Sequence, residues 1–113
     1  MARELTSHRL DKNDHSVVLE SWDEPDRVTK LYSKYRLSIN AHGVNSEISL
    51  IKFQKGDKEL EGVNGVDEAV LIALLMDRFA CRQAASPNRE QAIVLTKLEE
   101  ALLWLQHSQR NQS

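Results

Sequence analysis

The residues best suited to chemistry stand close together in the second half of this 113-residue chain. Arg78 and Arg82 are four apart, a spacing that puts both guanidiniums on one face of a helix. Arg89 follows a short interruption at Ser86-Pro87, and Gln83, Asn88 and Gln91 place amides around it. Guanidinium forks recognise phosphates in a planar, bidentate way. Amides both donate and accept, so they can read base edges and ribose hydroxyls. A second explanation of the same residues is purely structural: Arg78 and Arg82 would complement the negative end of a helix dipole. Composition leaves both open.

Signatures of catalysis are scarce. The sequence has no HExxH, no CxxC pair, no glycine-rich phosphate loop and no nucleophile elbow. His8, His15, His42 and His107 are scattered, and Cys81 sits in an apolar run as a small hydrophobe would. The carboxylates Glu59, Glu61, Glu99 and Glu100 read as solvated faces. These features describe a binding protein rather than an enzyme, with neither cofactor nor metal.

The elements that must carry the arginines can be read from periodicity. Val70 to Met76 is apolar in every direction, and Asp67 offers a side-chain cap ahead of it, so a helix is expected from about 67 to 83. Ser86 as a cap and Pro87 in the first turn would restart the chain as a second helix to about 107 or 108. Val94, Leu98, Ala101, Leu102 and Leu105 form its apolar stripe, with Ile93 and Trp104 off it. Upstream, Leu31, Ser33, Tyr35, Leu37 and Ile39 alternate with Lys30, Tyr32, Lys34, Arg36 and Ser38, the pattern of a strand with one face toward a core and the other toward solvent or a ligand. Residues 40–46 read as a loop, 48–55 as the returning strand, and Gly56-Asp57 as a hairpin turn into a strand over 58–61. Residues 1–14 are polar and fit an arm, a frayed helix or disorder. The expected fold is therefore α+β in one domain: a polar arm over 1–14, a small antiparallel sheet over 15–61, and a C-terminal antiparallel helical hairpin over 62–113. A helix apolar all round needs more cover than one sheet and one helix supply, so a homo-oligomer is expected.

Bulk properties narrow the partners. Hydrophobic residues make up 41% and charged residues 28%, as in folded domains, and a net charge of −2 gives no global field to draw the chain to DNA or a membrane. A lone cysteine fits a reducing, cytoplasmic compartment. The first residues lack the apolar core of a signal peptide, and the run from Ala69 to Met76 is too short to span a bilayer.

The segments GVNGVDEAVLIALLMDR (62–78) and REQAIVLTKLEEALLWL (89–105) resemble the helical hairpin of the phage Thoeris anti-defence sponges, a hairpin shared with a phage anti-CBASS sponge. The segment IKFQKG (51–56) is similar to the small sheet of the Thoeris branch. The resemblance implies a non-catalytic trap for cyclic ADP-ribose signals, assembled as a dimer or hexamer in the host cytoplasm. It implies that Arg89 and Gln91 fill the arginine and asparagine slots opening the second helix, that Asn64 is the loop asparagine, and that Gln83 is the glutamine before the turn. Three positions depart from the pattern. Arg82 stands where an aromatic residue is usual, and Gln91 is longer than asparagine. Ser108 and Gln112 fall on two arginine slots, with His107 and Arg110 the nearby cationic candidates. Two alternatives stand beside this reading: a sponge for CBASS-type cyclic di- or trinucleotides, and a protein–protein docking module.

Overall fold

A computed structural model describes residues 2–110, which form two compact units divided between residues 66 and 67. The first is a four-stranded antiparallel meander: β1 (Arg3–Leu5), β2 (Val17–Ser21), β3 (Lys34–Ala41) and β4 (Val44–Lys52), in that spatial order. The polar N-terminal stretch thus contains an edge strand, in register Arg3 to Ser21 and Leu5 to Leu19. Its core is small. Val18, Ser21 and Ser38 are buried, and Tyr35 meets Phe53 edge-on at 5.5 Å.

Two boundaries of the alternating strand differ from expectation. It starts at Lys34, not near Lys30, because Asp26 winds the chain into a turn: its carboxylate accepts from the amides of Val28 (2.8 Å) and Thr29 (2.9 Å). Those amides, Thr29 foremost, hold the Asp26 carboxyl below the usual carboxylate range. Lys30 takes φ 66°, which closes the turn and keeps Leu31 out of the sheet. At the other end residues 40–46 are not an open loop. His42 (φ 53°) and Gly43 (φ 77°) make a two-residue turn with both central residues left-handed, the kind that matches strand twist. Within β3, Arg36 bonds Glu20 at 2.8 Å and lies 3.8 Å over the Trp22 ring, so it is committed to the sheet itself.

The expected strand over 58–61 is instead a helical turn, α1 (Lys58–Glu61). Asp57 caps it by accepting from the Glu59 amide at 2.7 Å, and Lys-Glu-Leu-Glu prefers helix when no strand pairs with it. The chain then returns beside β4: Gln54 donates to the Val66 carbonyl (2.8 Å) and Val66 to that of Lys52 (2.9 Å). These bonds tie the GVNG loop to the sheet unit.

The second unit is the antiparallel helical pair α2 (Glu68–Ala85) and α3 (Arg89–Arg110). Asp67 caps α2 as expected, accepting from the Val70 amide at 3.3 Å. Helix α3 is not capped by Ser86. Asn88 is its cap, accepting from the Gln91 amide at 3.0 Å, while Ser86 closes α2 by donating its N–H to the Arg82 carbonyl. The half-buried seam runs through Ala69, Ile72, Met76 and Phe79 of α2 and Ala92, Leu95, Leu98, Leu102 and Leu105 of α3. Val94 and Ala101, assigned to the stripe from sequence, are exposed, and neither helix contains a fully buried residue. No helix among the described residues is long and apolar enough to cross a membrane.

Candidate functional site

The hairpin tip brings together much of the set expected from sequence. Gln83 reaches across the turn, its Oε1 accepting from the Asn88 amide at 2.9 Å. Asn88 in turn spends its Oδ1 on Gln91. Both side-chain oxygens therefore build the tip, and what remains for a ligand is the NH2 ends of these two amides, the Gln91 side chain and the arginines. Arg82, Asn88 and Gln91 line one open cleft of about 310 Å³. Arg78 and Arg82 line an adjoining one of about 330 Å³ with Cys81 and Asp77. Arg82 stands at both, its guanidinium 5.1 Å from the Phe79 ring centre. An aromatic side chain thus lies under the arginine that occupies the usual aromatic slot.

The start of α3 adds backbone donors. The first intrahelical bond is made by Ala92 to the Asn88 carbonyl (3.0 Å), so the Arg89 and Glu90 amides have no helix carbonyl to reach. Such donors, with the positive end of the dipole, favour an anion. The Arg89 side chain, however, does not join Arg82. It lines a separate concavity of about 360 Å³ with Ile93, Thr96 and Lys97. Two positions along a helix turn a side chain by about 200°, so Arg89 and Gln91 look to opposite sides of α3.

The remaining candidates lie elsewhere. His107 meets Trp104 edge-on at 5.9 Å, and Arg110 is the last residue of α3. With 1.5 Å rise per residue, Arg110 is about 30 Å along the helix from Arg89. The Gln112 slot lies outside the described residues. Asn64 belongs to the sheet unit, where its side chain brackets the backbone of one residue: Oδ1 accepts from the Lys55 amide (2.8 Å) and Nδ2 donates to the Lys55 carbonyl (2.9 Å). The sequence reading missed a concavity on the sheet, lined by Lys34, Lys52 and Lys55 together with the carboxylates of Asp23 and Glu24. Its signal was a cross-strand pairing that only the register reveals.

A small antiparallel sheet followed by a helical hairpin with arginines at its tip defines a class, and comparison supplies its family. Residues 46–110, more than half of the chain, match the family described as Acb2/Tad1, hairpin domain, and the chain belongs to that family. It is similar to a curated protein of Bacillus phage SBSphiJ7, Thoeris anti-defense 1, at 42% identity over 60 residues. The match covers 52% of this chain and 42% of that relative's length.

Proposed function

We propose that this chain is a phage anti-defence sponge that binds a cyclic ADP-ribose signal of the Thoeris type and holds it, chemically unchanged, away from its effector in the host cytoplasm. The observation that carries the reading is the hairpin tip of a family member. There Arg82, Asn88 and Gln91 offer guanidinium and amide groups around one cleft. Those groups bind phosphates and ring edges; they are neither nucleophiles nor general bases at neutral pH.

The tip cleft is shallow, and competing with an effector at nanomolar signal takes about −12 kcal/mol, which calls for an enclosed ligand. Enclosure would come from a second copy, as a dimer or hexamer. The exposed apolar residues of α2 and α3 support that assembly. A specific observation also favours a second ligand class: the Arg89–Lys97 concavity is separate from the Arg82–Gln91 cleft. It would take a cyclic di- or trinucleotide independently of the first ligand.

The test is capture and release. Purified protein is incubated with cyclic ADP-ribose isomers and cyclic oligonucleotides, freed of unbound ligand, and heat-denatured for mass spectrometry. Intact cyclic ADP-ribose in the released fraction is expected. ADP-ribose accumulating with time would make the protein an enzyme, and no captured nucleotide would leave a protein-docking module. In calorimetry Arg82→Ala should weaken cyclic ADP-ribose binding roughly ten- to hundredfold, the loss of one charge-assisted contact. Arg89→Ala should do the same for whichever ligand occupies the second concavity, with fold and assembly retained.

A further inference from the structure

Among the described residues three arginines rest over aromatic rings: Arg36 lies 3.8 Å from the Trp22 ring centre, Arg3 4.2 Å from that of Tyr32, and Arg82 5.1 Å from that of Phe79. All three are within the range, about 6 Å, in which a ring face attracts a cation. Their N–H groups are spent differently. Arg36 donates to the Glu20 carboxylate at 2.8 Å, and Arg3 donates its Nε–H to the Ser21 hydroxyl at 3.1 Å. The Arg82 guanidinium makes no ion pair and donates to no acceptor among the described residues, so the Phe79 ring is what holds it.

That ring is itself anchored. Phe79 is half-buried in the seam between α2 and α3, and three residues before Arg82 it is a neighbour on the helix surface. Hairpin packing fixes the ring, and the ring gathers an exposed, flexible side chain that would otherwise sample many rotamers. A ring face attracts the cation as a whole and leaves the guanidinium edge, with its fork of donors, to other acceptors. A carboxylate partner would occupy that fork, as Glu20 does for Arg36. Arg82 stands where the two tip clefts adjoin, with Arg78 lining one and Asn88 and Gln91 the other, while Phe79 lines neither.

We infer that Phe79 is a positioning residue of the hairpin tip, whose ring pre-orders the Arg82 guanidinium at the clefts with its fork free for a phosphate of the ligand. Pre-ordering lowers the entropy lost on binding, so Phe79 contributes to affinity without touching the ligand. The inference rests on the sponge reading, which gives Arg82 its ligand.

The test is calorimetry of the full chain with cyclic ADP-ribose, set beside thermal unfolding followed by circular dichroism. Phe79→Leu removes the ring and keeps an apolar side chain in the seam; it should weaken binding about two- to fivefold. Phe79→Tyr keeps a ring and should retain the affinity. In an Arg82→Ala background Phe79→Leu should cost no further affinity, whereas a residue that merely packs the hairpin would lower affinity and melting temperature alike in both backgrounds. Phe79→Met supplies a second ringless variant should Phe79→Leu lose helix content. Binding unchanged in Phe79→Leu, or weakened equally with and without Arg82, would overturn the inference while leaving the sponge reading intact. No binding by the unmodified chain would instead refute the sponge reading, and the inference with it.

Discussion

Single residues in this chain do two kinds of work that look alike in sequence. Asn64, Gln83 and Asn88 have the chemistry to read a nucleotide, yet each commits its side-chain oxygen to a backbone amide, and Asn64 its NH2 group as well. The glycines divide similarly. Gly62 takes φ 76° with open space around its missing Cβ, so its requirement is conformational. Gly65 has no such backbone need, but a Cβ there would run into the Phe53 carbonyl and come within 2.6 Å of the Lys52 oxygen. Backbone cannot yield as a side chain tip can. Gly65→Ala should therefore destabilise the sheet unit by about 1–3 kcal/mol, read by urea unfolding. Gly62→Ala should cost about 1–3 kcal/mol for a different reason: φ 76° with ψ 172° is backbone that essentially only glycine adopts. A cost for Gly65→Ala within about 0.5 kcal/mol would show that the close approach of Gly65 to β4 is not what the loop needs it for. The two glycines look alike in the sequence; only the return of residue 66 alongside Phe53 separates them.

At the scale of elements, the sequence was legible where the signal was local and strong. Asp67 before a long apolar run marked the start of α2, and alternation from Tyr35 to Ile39 marked β3. It was less legible where two local preferences competed. Ser86-Pro87 and Asn88 are all plausible starters for α3, and what decides is the reach of Gln83, which positions the Asn88 amide from five residues upstream. The seam of the hairpin was likewise ambiguous, because α3 has apolar residues on more than one side. Leu95 and Ala92 face α2 where Val94 and Ala101 were expected to. The arginine cluster was legible as a set, but not its division, since the facing of Arg89 depends on where the helix begins. The cap assignment has a direct consequence. Asn88→Ala should cost about 0.5–2 kcal/mol, by urea unfolding of the full chain followed by circular dichroism. Ser86→Ala should stay within about 0.5 kcal/mol, since Ser86 contributes its backbone N–H. The reverse order would restore Ser86 as the cap.

For the whole molecule, the governing fact is how little either unit buries. The sheet has one buried apolar side chain, Val18, among the described residues, and the two long helices have no buried residue at all. Meanwhile Leu74 of α2 and Ile93, Leu103 and Trp104 of α3 remain 56%, 47%, 67% and 72% exposed. Covering a large apolar side chain contributes roughly 1.5–3 kcal/mol, and short chains often reach stability by association. A symmetric contact counts every such residue twice, so even a modest patch favours a self-associated state. Ile93 and Trp104 lie away from the α2 seam, where a second copy would seat. Sedimentation at micromolar concentration should therefore give a mass that is a multiple of 12.9 kDa. Trp104→Glu or Ile93→Glu should shift it to a smaller species, because a buried, unpaired carboxylate costs several kcal/mol at such a contact. Helix content should fall in the same variants if assembly stabilises the hairpin. A wild-type chain that sediments as a well-folded monomer of 12.9 kDa would overturn this, and with it the enclosure that tight sequestration requires.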